Sequence, residues 1–382
     1  MQRSRYLTSI RRVVVKIGSR VLTDGAGRPD PAFFAAMGNQ TAALLRKGVQ
    51  VVLVSSGAIA SGRSLLRETR RDLSIPEKQA LAAVGQSHLM GMYQQALQPH
   101  GARTAQVLLT REDLTQRRRY LNVRNTFLKL LQMGTLPIVN ENDTVAVEEI
   151  KFGDNDNLSA LVAILVDADL LVLLTDAPGL CAWSEDRGYE PRPLPFIDRV
   201  TPAIRNLARG SSGPLGTGGM TTKLEAARIA AQAGMPAVIA HGRHADVLAR
   251  ILQGQQIGTF FAPLRERLPH RKHWIAYTLP RRGELVLDAG AVQAIVKKGK
   301  SLLPSGVVAV HGPFRGGVMV SCVDGSGRER ARGVTHYSSK EIERIAGKKT
   351  SQIEQILGYR IQDEVIHRDE LVVLKDEAEN ED

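Results

Sequence analysis

Residues 13–19 read Val-Val-Val-Lys-Ile-Gly-Ser, and residues 49–59 read Val-Gln-Val-Val-Leu-Val-Ser-Ser-Gly-Ala-Ile. Each is a short apolar run, rich in β-branched residues, that ends in glycine or serine. Such runs, bounded by turn residues, read as buried strands. Between them Pro31–Lys47 reads as a helix, so the three segments form a strand–helix–strand unit. The alternation continues along the chain. Ala105–Leu109, Leu136–Asn140, Leu170–Leu174 and Ala237–Ala240 read as further buried strands, and Lys78–His100, Leu158–Leu165 and Thr222–Ala233 as helices. Apolar strands separated by helices imply an α/β protein, a three-layer αβα sandwich around a mainly parallel sheet. Such sheets bind ligands beyond the carboxyl ends of their strands, so glycine, serine and acidic residues just after each strand are the candidates for function.

The chain has 382 residues, 43% hydrophobic and 24% charged, which is a globular composition and excludes a disordered, collagenous or coiled-coil protein. Two domains are expected at this length. After about Pro269 the texture changes. Short strand-like runs (Glu284–Asp288, Val307–Val310, Gly317–Val323, Arg332–Thr335) are split by glycine turns, and a helix is expected around Ser338–Ala346. The expected division is a catalytic domain over 1–269, a small mostly-β module over 281–359, and an acidic tail over 360–382 with a disordered end. The two cysteines, Cys181 and Cys322, exclude a disulfide scaffold and fit a reducing cytoplasm. The longest apolar run, Ala160–Val166, ends at Asp167, well short of the roughly 18 residues of a membrane span. Lys and Arg number 51 against 39 Asp and Glu, a net charge of +12. A basic surface suits an anionic small substrate or nucleic acid and does not choose between them.

Six strand-end segments carry chemistry. Lys16 sits inside an apolar strand, which is costly unless its ammonium finds a partner or reaches water past the strand end. Ser55-Ser56-Gly57-Ala58 opens onto a helix and is either an anion-binding turn or a plain strand–helix connection. Asn140-Glu141-Asn142-Asp143 and Gly153-Asp154-Asn155-Asp156-Asn157 are two polar clusters close together, although Asp156 or Asn157 would also serve as a helix cap. A calcium loop is excluded there because Leu158 onward is apolar. Thr175-Asp176 ends another strand. Gly216-Thr217-Gly218-Gly219-Met220-Thr221-Thr222-Lys223 is a glycine-rich loop opening a helix, without the spacing of a P-loop, and its first-turn lysine is expected to be exposed. The pairs His241/His244 and His270/His273 lack further ligands at metal spacing and read as solvent-facing. Two lysines, a glycine loop and several carboxylates on one sheet edge fit phosphoryl transfer, where positioning and charge neutralisation supply most of the catalysis.

In this order, the strings Val-Val-Lys16-Ile-Gly, Ser-Ser56-Gly-Ala-Ile-Ala, Asn-Glu-Asn-Asp143, Phe-Gly-Asp-Asn155-Asp156-Asn-Leu-Ser-Ala, Leu-Thr-Asp176 and Gly-Thr-Gly-Gly-Met-x-Thr-Lys223 resemble the glutamate 5-kinase family of the amino acid kinase superfamily. Leu81-Ala-Ala-Val-Gly-Gln86 and Arg344-Ile-Ala-Gly347 share the resemblance, which spans about residues 11–370, and 281–359 resembles a PUA domain. The resemblance implies the amino acid kinase fold and ATP-dependent phosphorylation of the γ-carboxylate of L-glutamate with Mg²⁺, the first step of proline synthesis. It further implies inhibition by L-proline, a homo-oligomer (dimer or tetramer), a cytoplasmic location and no membrane partner. PUA domains bind RNA in other proteins, which leaves RNA open as a partner. Carried over residue by residue, Lys16 and Lys223 neutralise the transferring phosphoryl group and Asp156 orients them. Ser56, Asp143 and Asn155 hold glutamate, with Asp143 on its α-ammonium. Lys16, Thr175, Asp176, Thr217, Gly218, Gly219, Met220, Thr221, Thr222 and Lys223 contact the nucleotide, and no residue is assigned to the metal. The chain departs from the family at Arg20, where a small hydroxyl residue is usual, and over Cys181-Ala-Trp183-Ser-Glu185-Asp186. A kinase for N-acetylglutamate or aspartate is the near alternative, and an RNA-binding protein on a degenerate kinase fold the distant one. Asp143 argues against an acetylated amine, and the intact lysine pair argues against degeneracy.

Overall fold

Aliphatic strands set the centre of the molecule: β1 (Arg12–Ile17), β2 (Gln50–Ser55), β3 (Arg103–Leu109), β4 (Thr135–Glu141) and β5 (Leu170–Thr175). A two-residue ribbon, β6 (Cys181–Ala182) with β7 (Arg192–Pro193), leads to β8 (Phe196–Ile197), β9 (Ala237–His241) and β10 (Thr259–Phe261). The main sheet has the order β3-β4-β2-β1-β5-β9-β10-β8. The first six of these strands are parallel to one another, as the apolar pattern implies; β10 runs antiparallel to β9 and carries β8 with it. That reversed edge was not foreseen, because strands of two and three residues leave no period to read. This is the computed structural model of the chain, and it describes residues 3–70, 72–145, 155–182, 192–209, 219–264, 279 and 281–374.

The connecting helices are α1 (Ser19–Leu22), α2 (Pro31–Arg46), α3 (Ala58–Leu66), α4 (Ile75–Leu97), α5 (Arg111–Thr115), α6 (Arg117–Gln132), α7 (Asn155–Leu165), α8 (Pro202–Arg209), α9 (Met220–Gln232) and α10 (Val247–Leu252). Asp30 caps α2 by accepting from the N–H groups of Ala32 and Phe33, and Ser74 with Glu77 forms a capping box on α4. Helix α6 escaped the sequence reading because it begins Arg-Arg-Arg and buries only a narrow stripe, including Tyr120, Phe127 and Leu131.

Side-chain alternation sorts β1 between the two faces of the sheet. Val13, Val15 and Ile17 enter a core with Phe33, Phe34 and Met37 of α2 and Leu89 and Tyr93 of α4. Lys16 therefore points to the opposite face, where α7 and α9 lie. Helices α3 and α4 meet backbone to backbone. A Cβ on Gly62 would stand 2.0 Å from the carbonyl oxygen of Leu81, and one on Gly85 1.9 Å from that of Ala58. This contact ties α4 to the helix that follows Ser56.

The chain divides at Arg267/Leu268 into two units. The second holds a five-stranded sheet of β11 (Glu284–Leu287), β12 (Val307–His311), β13 (Met319–Val323), β14 (Glu329–Val334) and β15 (Leu371–Val373), in the order β12-β11-β13-β14-β15. Helices α11 (Ala289–Lys298), α12 (Ser339–Ile345) and α13 (Ile353–Leu357) accompany it. The segment from residue 360, read above as an acidic tail, is in part structured. Val365 and Ile366 are fully buried, and Leu371–Val373 pairs with β14. Glu364, Asp369 and Glu370 around these apolar residues concealed them in the sequence. Asp376–Asp382 lie outside the described residues.

Gly62→Ala is expected to force α3 off α4 and lower stability by about 1–3 kcal/mol, the usual cost of overpacking. The urea midpoint measures it, and an unchanged midpoint would refute the close approach.

Candidate active site

Asp156, in the first turn of α7, is fully buried. Lys16 Nζ from β1 lies 2.6 Å from its Oδ1, and Lys223 Nζ from α9 lies 3.2 Å from its Oδ2. Thr222 Oγ1 donates to the same Oδ2 at 2.6 Å. Burial pushes the Asp156 carboxyl up, but Lys16 and Lys223 together outweigh it and hold the group down at about 2. The Lys223 ammonium is lowered, first by burial and next by its neighbour Lys16. Two cations share one anion, so the cluster carries an excess positive charge at a place shielded from water. Such a site favours an incoming anion. Lys223 was expected to be exposed; it is only 6% exposed, because α9 packs on α7 and Asp156 draws the ammonium inward. Gly18 lies two residues after Lys16, just past the end of β1. A Cβ there would stand 3.3 Å from the carbonyl oxygen of Leu174 and 3.8 Å from Lys16 Nζ, so the backbone passes close to β5 and to the ammonium.

Beside the cluster runs a chain of amide hydrogen bonds. Asn155 Nδ2 donates to Ser56 Oγ at 3.1 Å and to Asn140 Oδ1 at 3.0 Å. Asn140 Nδ2 donates to Gln86 Oε1 of α4 at 2.8 Å. Asn155 Oδ1 is buried without a hydrogen-bond partner among the described residues. Ser56 is held by Gly57, whose φ of 106° lies in the left-handed region and starts α3. Asp143 follows the end of β4 and lines a cavity of about 250 Å³ together with Gln86, Ser87, Glu141 and Asn142. Burial raises the Asp143 carboxyl to about 6. Sequence reasoning missed Gln86 and Asn140 as members of this site, though both lie in quoted motifs.

At the end of β5, the Thr175 hydroxyl donates to Asp176 Oδ1 at 3.0 Å, and Arg20 Nη1 lies 3.1 Å from Asp176 Oδ2. Burial acts to raise Asp176, but Arg20 and Thr175 hold it below the usual carboxylate range. Arg20, set aside above as a departure, thus belongs to this strand-end group. His241 is half-buried at the end of β9, in register with Thr175, and its ring meets that of His244 at 5.4 Å. Thr222 is turned to Asp156, while Met220 is buried and Thr221 Oγ1 reaches Ala208 O at 3.5 Å. Gly219 caps α9. Thr217, Gly218, Asp154, Trp183–Asp186, His270 and His273 lie outside the described residues.

Residues 11–241 match the amino acid kinase family, and residues 283–357 match the PUA domain. Named glutamate 5-kinases are similar over nearly the whole length. The one from Trichlorobacter lovleyi is 50% identical, with 96% of this chain and 98% of the relative covered. Those from Pelobacter propionicus and Geobacter sulfurreducens are 50% and 48% identical, each covering 97% of this chain and 100% of the relative. The chain belongs to the amino acid kinase family, in its glutamate 5-kinase branch. It is a kinase. Among the described residues no group of three or more His, Cys, Asp or Glu could hold a metal ion, and Asp156 and Asp176 are both engaged with cations.

Two variants separate charge balance from catalysis. Asp156→Asn leaves two buried ammonium groups facing each other and is expected to lose about 3–5 kcal/mol of stability. Lys223→Ala leaves a one-to-one ion pair, so the melting temperature should hold closer to wild type while turnover falls about a hundredfold or more. Thermal unfolding and ADP release on both proteins check this; a Lys223→Ala rate within a few-fold of wild type would refute the role.

Proposed function

We propose that this kinase transfers the γ-phosphoryl group of ATP to the γ-carboxylate of L-glutamate, giving L-glutamate 5-phosphate and ADP, the first step of proline biosynthesis. The observation that carries the reading is the buried Asp156 shared by Lys16 and Lys223, preceded in the same helix turn by Asn155, whose amide chain leads through Asn140 to Gln86 in the cavity of Asp143. Lys16 and Lys223 offset charge on the transferring group, and Asp156 keeps both ammonium groups in place. A γ-carboxylate with an ordinary pKa near 4.3 is already ionised at neutral pH, so the acceptor needs no general base. Magnesium enters as part of the MgATP substrate, bound through the phosphate oxygens that a small, hard cation prefers. Thr175, Asp176 and the start of α9 form the nucleotide side. Ser56, Asp143 and Asn155 form the acceptor side. By family resemblance, L-proline is the proposed feedback inhibitor, a homo-oligomer the assembly, the cytoplasm the location, and RNA a candidate partner of the PUA unit. The described helices include none long and apolar enough to cross a membrane.

ADP release from MgATP, measured with glutamate, N-acetylglutamate and aspartate in parallel, tests the acceptor. Glutamate should be turned over by far the fastest. Preference for N-acetylglutamate would overturn the pairing of Asp143 with a free ammonium.

The titration of Asp143 yields a further expectation. Only its ionised form pairs with the α-ammonium, so the glutamate KM should rise as pH falls through about 6, by up to tenfold per unit. The sign for stability is opposite. The native state holds this proton more tightly than the unfolded chain, so the group's stabilising contribution is present below about pH 4 and is lost as pH rises through 6. Asp143→Asn should accordingly raise the glutamate KM strongly at pH 7.5, leave the ATP KM little changed, and not lower the melting temperature. Steady-state kinetics and thermal unfolding at that pH decide it; a defect confined to ATP would move Asp143 to the nucleotide side.

A further inference from the structure

The amide chain beside Ser56 has a direction, and that direction is set away from the substrate. The backbone N–H of Glu141 can only donate, and it does so to Asn140 Oδ1 at 2.8 Å. The other end of that amide, Nδ2, must then find an acceptor, and it finds Gln86 Oε1. With Asn140 so fixed, its Oδ1 also accepts from Asn155 Nδ2, which in turn donates to Ser56 Oγ. A hydroxyl that accepts from Asn155 retains its own proton to donate. Asn155 is left with Oδ1, a buried acceptor with no hydrogen-bond partner among the described residues. The relay therefore leaves one donor, Ser56 O–H, and one acceptor, Asn155 Oδ1, at its inner end, while Gln86 at its outer end lines the cavity that holds Asp143. These match the carboxylate and the ammonium of an amino acid.

Reversal of any amide in the chain would exchange donor for acceptor at the substrate. Asn140 and Asn155 are buried at 2% and 8% exposure, where an unmet hydrogen bond is costly. Gln86 is the outer member, and its place is secured by the backbone contact of α4 with α3 at Gly85. Helix α3 starts next to Ser56, so the two ends of the chain ride on helices locked together.

We propose that Gln86 is a positioning residue for the acceptor amino acid: as terminal acceptor of the Gln86–Asn140–Asn155–Ser56 relay, it fixes which way Ser56 and Asn155 address the substrate. This rests on the reading that the acceptor is glutamate. Wild-type turnover of glutamate tests that reading first, and its absence would be a failure of the reading rather than of the relay.

The experiment uses the full-length protein at pH 8 with Gln86→Met, which keeps the shape and removes the acceptor, and Gln86→Glu, which keeps an accepting oxygen. Gln86→Met should raise the glutamate KM about tenfold or more, as when a buried donor loses its partner, with the ATP KM within about twofold and a near-native melting temperature. Gln86→Glu should recover most of the loss. Ser56→Ala should cost much less in the Gln86→Met background than in wild type, because both act through one hydroxyl. An unchanged glutamate KM, an equal rise in both KM values with a lowered melting temperature, no recovery by Gln86→Glu, or additivity of the two substitutions would each overturn the proposal.

Discussion

A carboxylate sealed from water stays charged only when cations stand against it, and Asp156 meets that condition with two lysines. The requirement binds together three segments far apart in the chain. Lys16 comes from the carboxyl end of the central strand β1, Asp156 from the start of α7, and Lys223 from the first turn of α9. Neither lysine has its counter-charge at that depth without Asp156, and Asp156 needs at least one of them. The cluster therefore constrains the packing of α7 and α9 on the sheet, and it leaves one positive charge in excess where a phosphoryl group is expected. The same ion pairing that makes burial affordable also supplies the electrostatic preorganisation.

The strand geometry makes this arrangement compatible with a well-packed core. Alternation along β1 sends Val13, Val15 and Ile17 to the α2–α4 side and Lys16 to the α7–α9 side. The apolar face is filled by large side chains such as Phe34, Leu89 and Tyr93, so the cost of the charged cluster is offset by burial that it does not disturb. The single lysine in the Val-Val-Val-Lys-Ile run thus records which face of the sheet carries the chemistry.

Much of this was legible in the sequence, for identifiable reasons. Parallel strands buried on both faces need continuous aliphatic runs, and those runs located β1, β2, β4, β5 and β9. Strand ends with lysine or carboxylates marked Lys16, Asp143 and Asp176. Depth was not legible: a lysine in the first turn of a helix has the same local sequence whether exposed or drawn inward, and only the packing of α9 on α7 decides it for Lys223. Pairing across long separations was equally hidden. Nothing near Asn140 indicates that its amide ends on Gln86, 54 residues earlier. The arginine run of α6 and the acidic surroundings of β15 misled because charge at the ends of an element says little about the apolar stripe within it. The tight helix crossing at Gly62 and Gly85 had no local signature either, since a glycine chosen for close approach looks like any other in a helix.

The two sides of the site solve different problems. On the nucleotide side the ligand's charge is large, and the protein answers with charge held rigidly: two ammonium groups fixed on one carboxylate, with Thr222 bracing the same oxygen. On the acceptor side a fixed net charge would be poorly suited, because an amino acid presents a carboxylate and an ammonium close together. The protein answers there with neutral amides whose direction is set by a backbone N–H, and places Asp143 where burial has already raised its affinity for a proton and hence for a cationic donor. Asn155 and Asp156 are consecutive in the first turn of α7, so one turn of helix addresses both sides at once. In the proposed reaction, sequence adjacency of an amide and a carboxylate at a helix start becomes spatial adjacency of the acceptor amino acid and the cations that meet the phosphoryl group, which is the geometric condition for transfer between them.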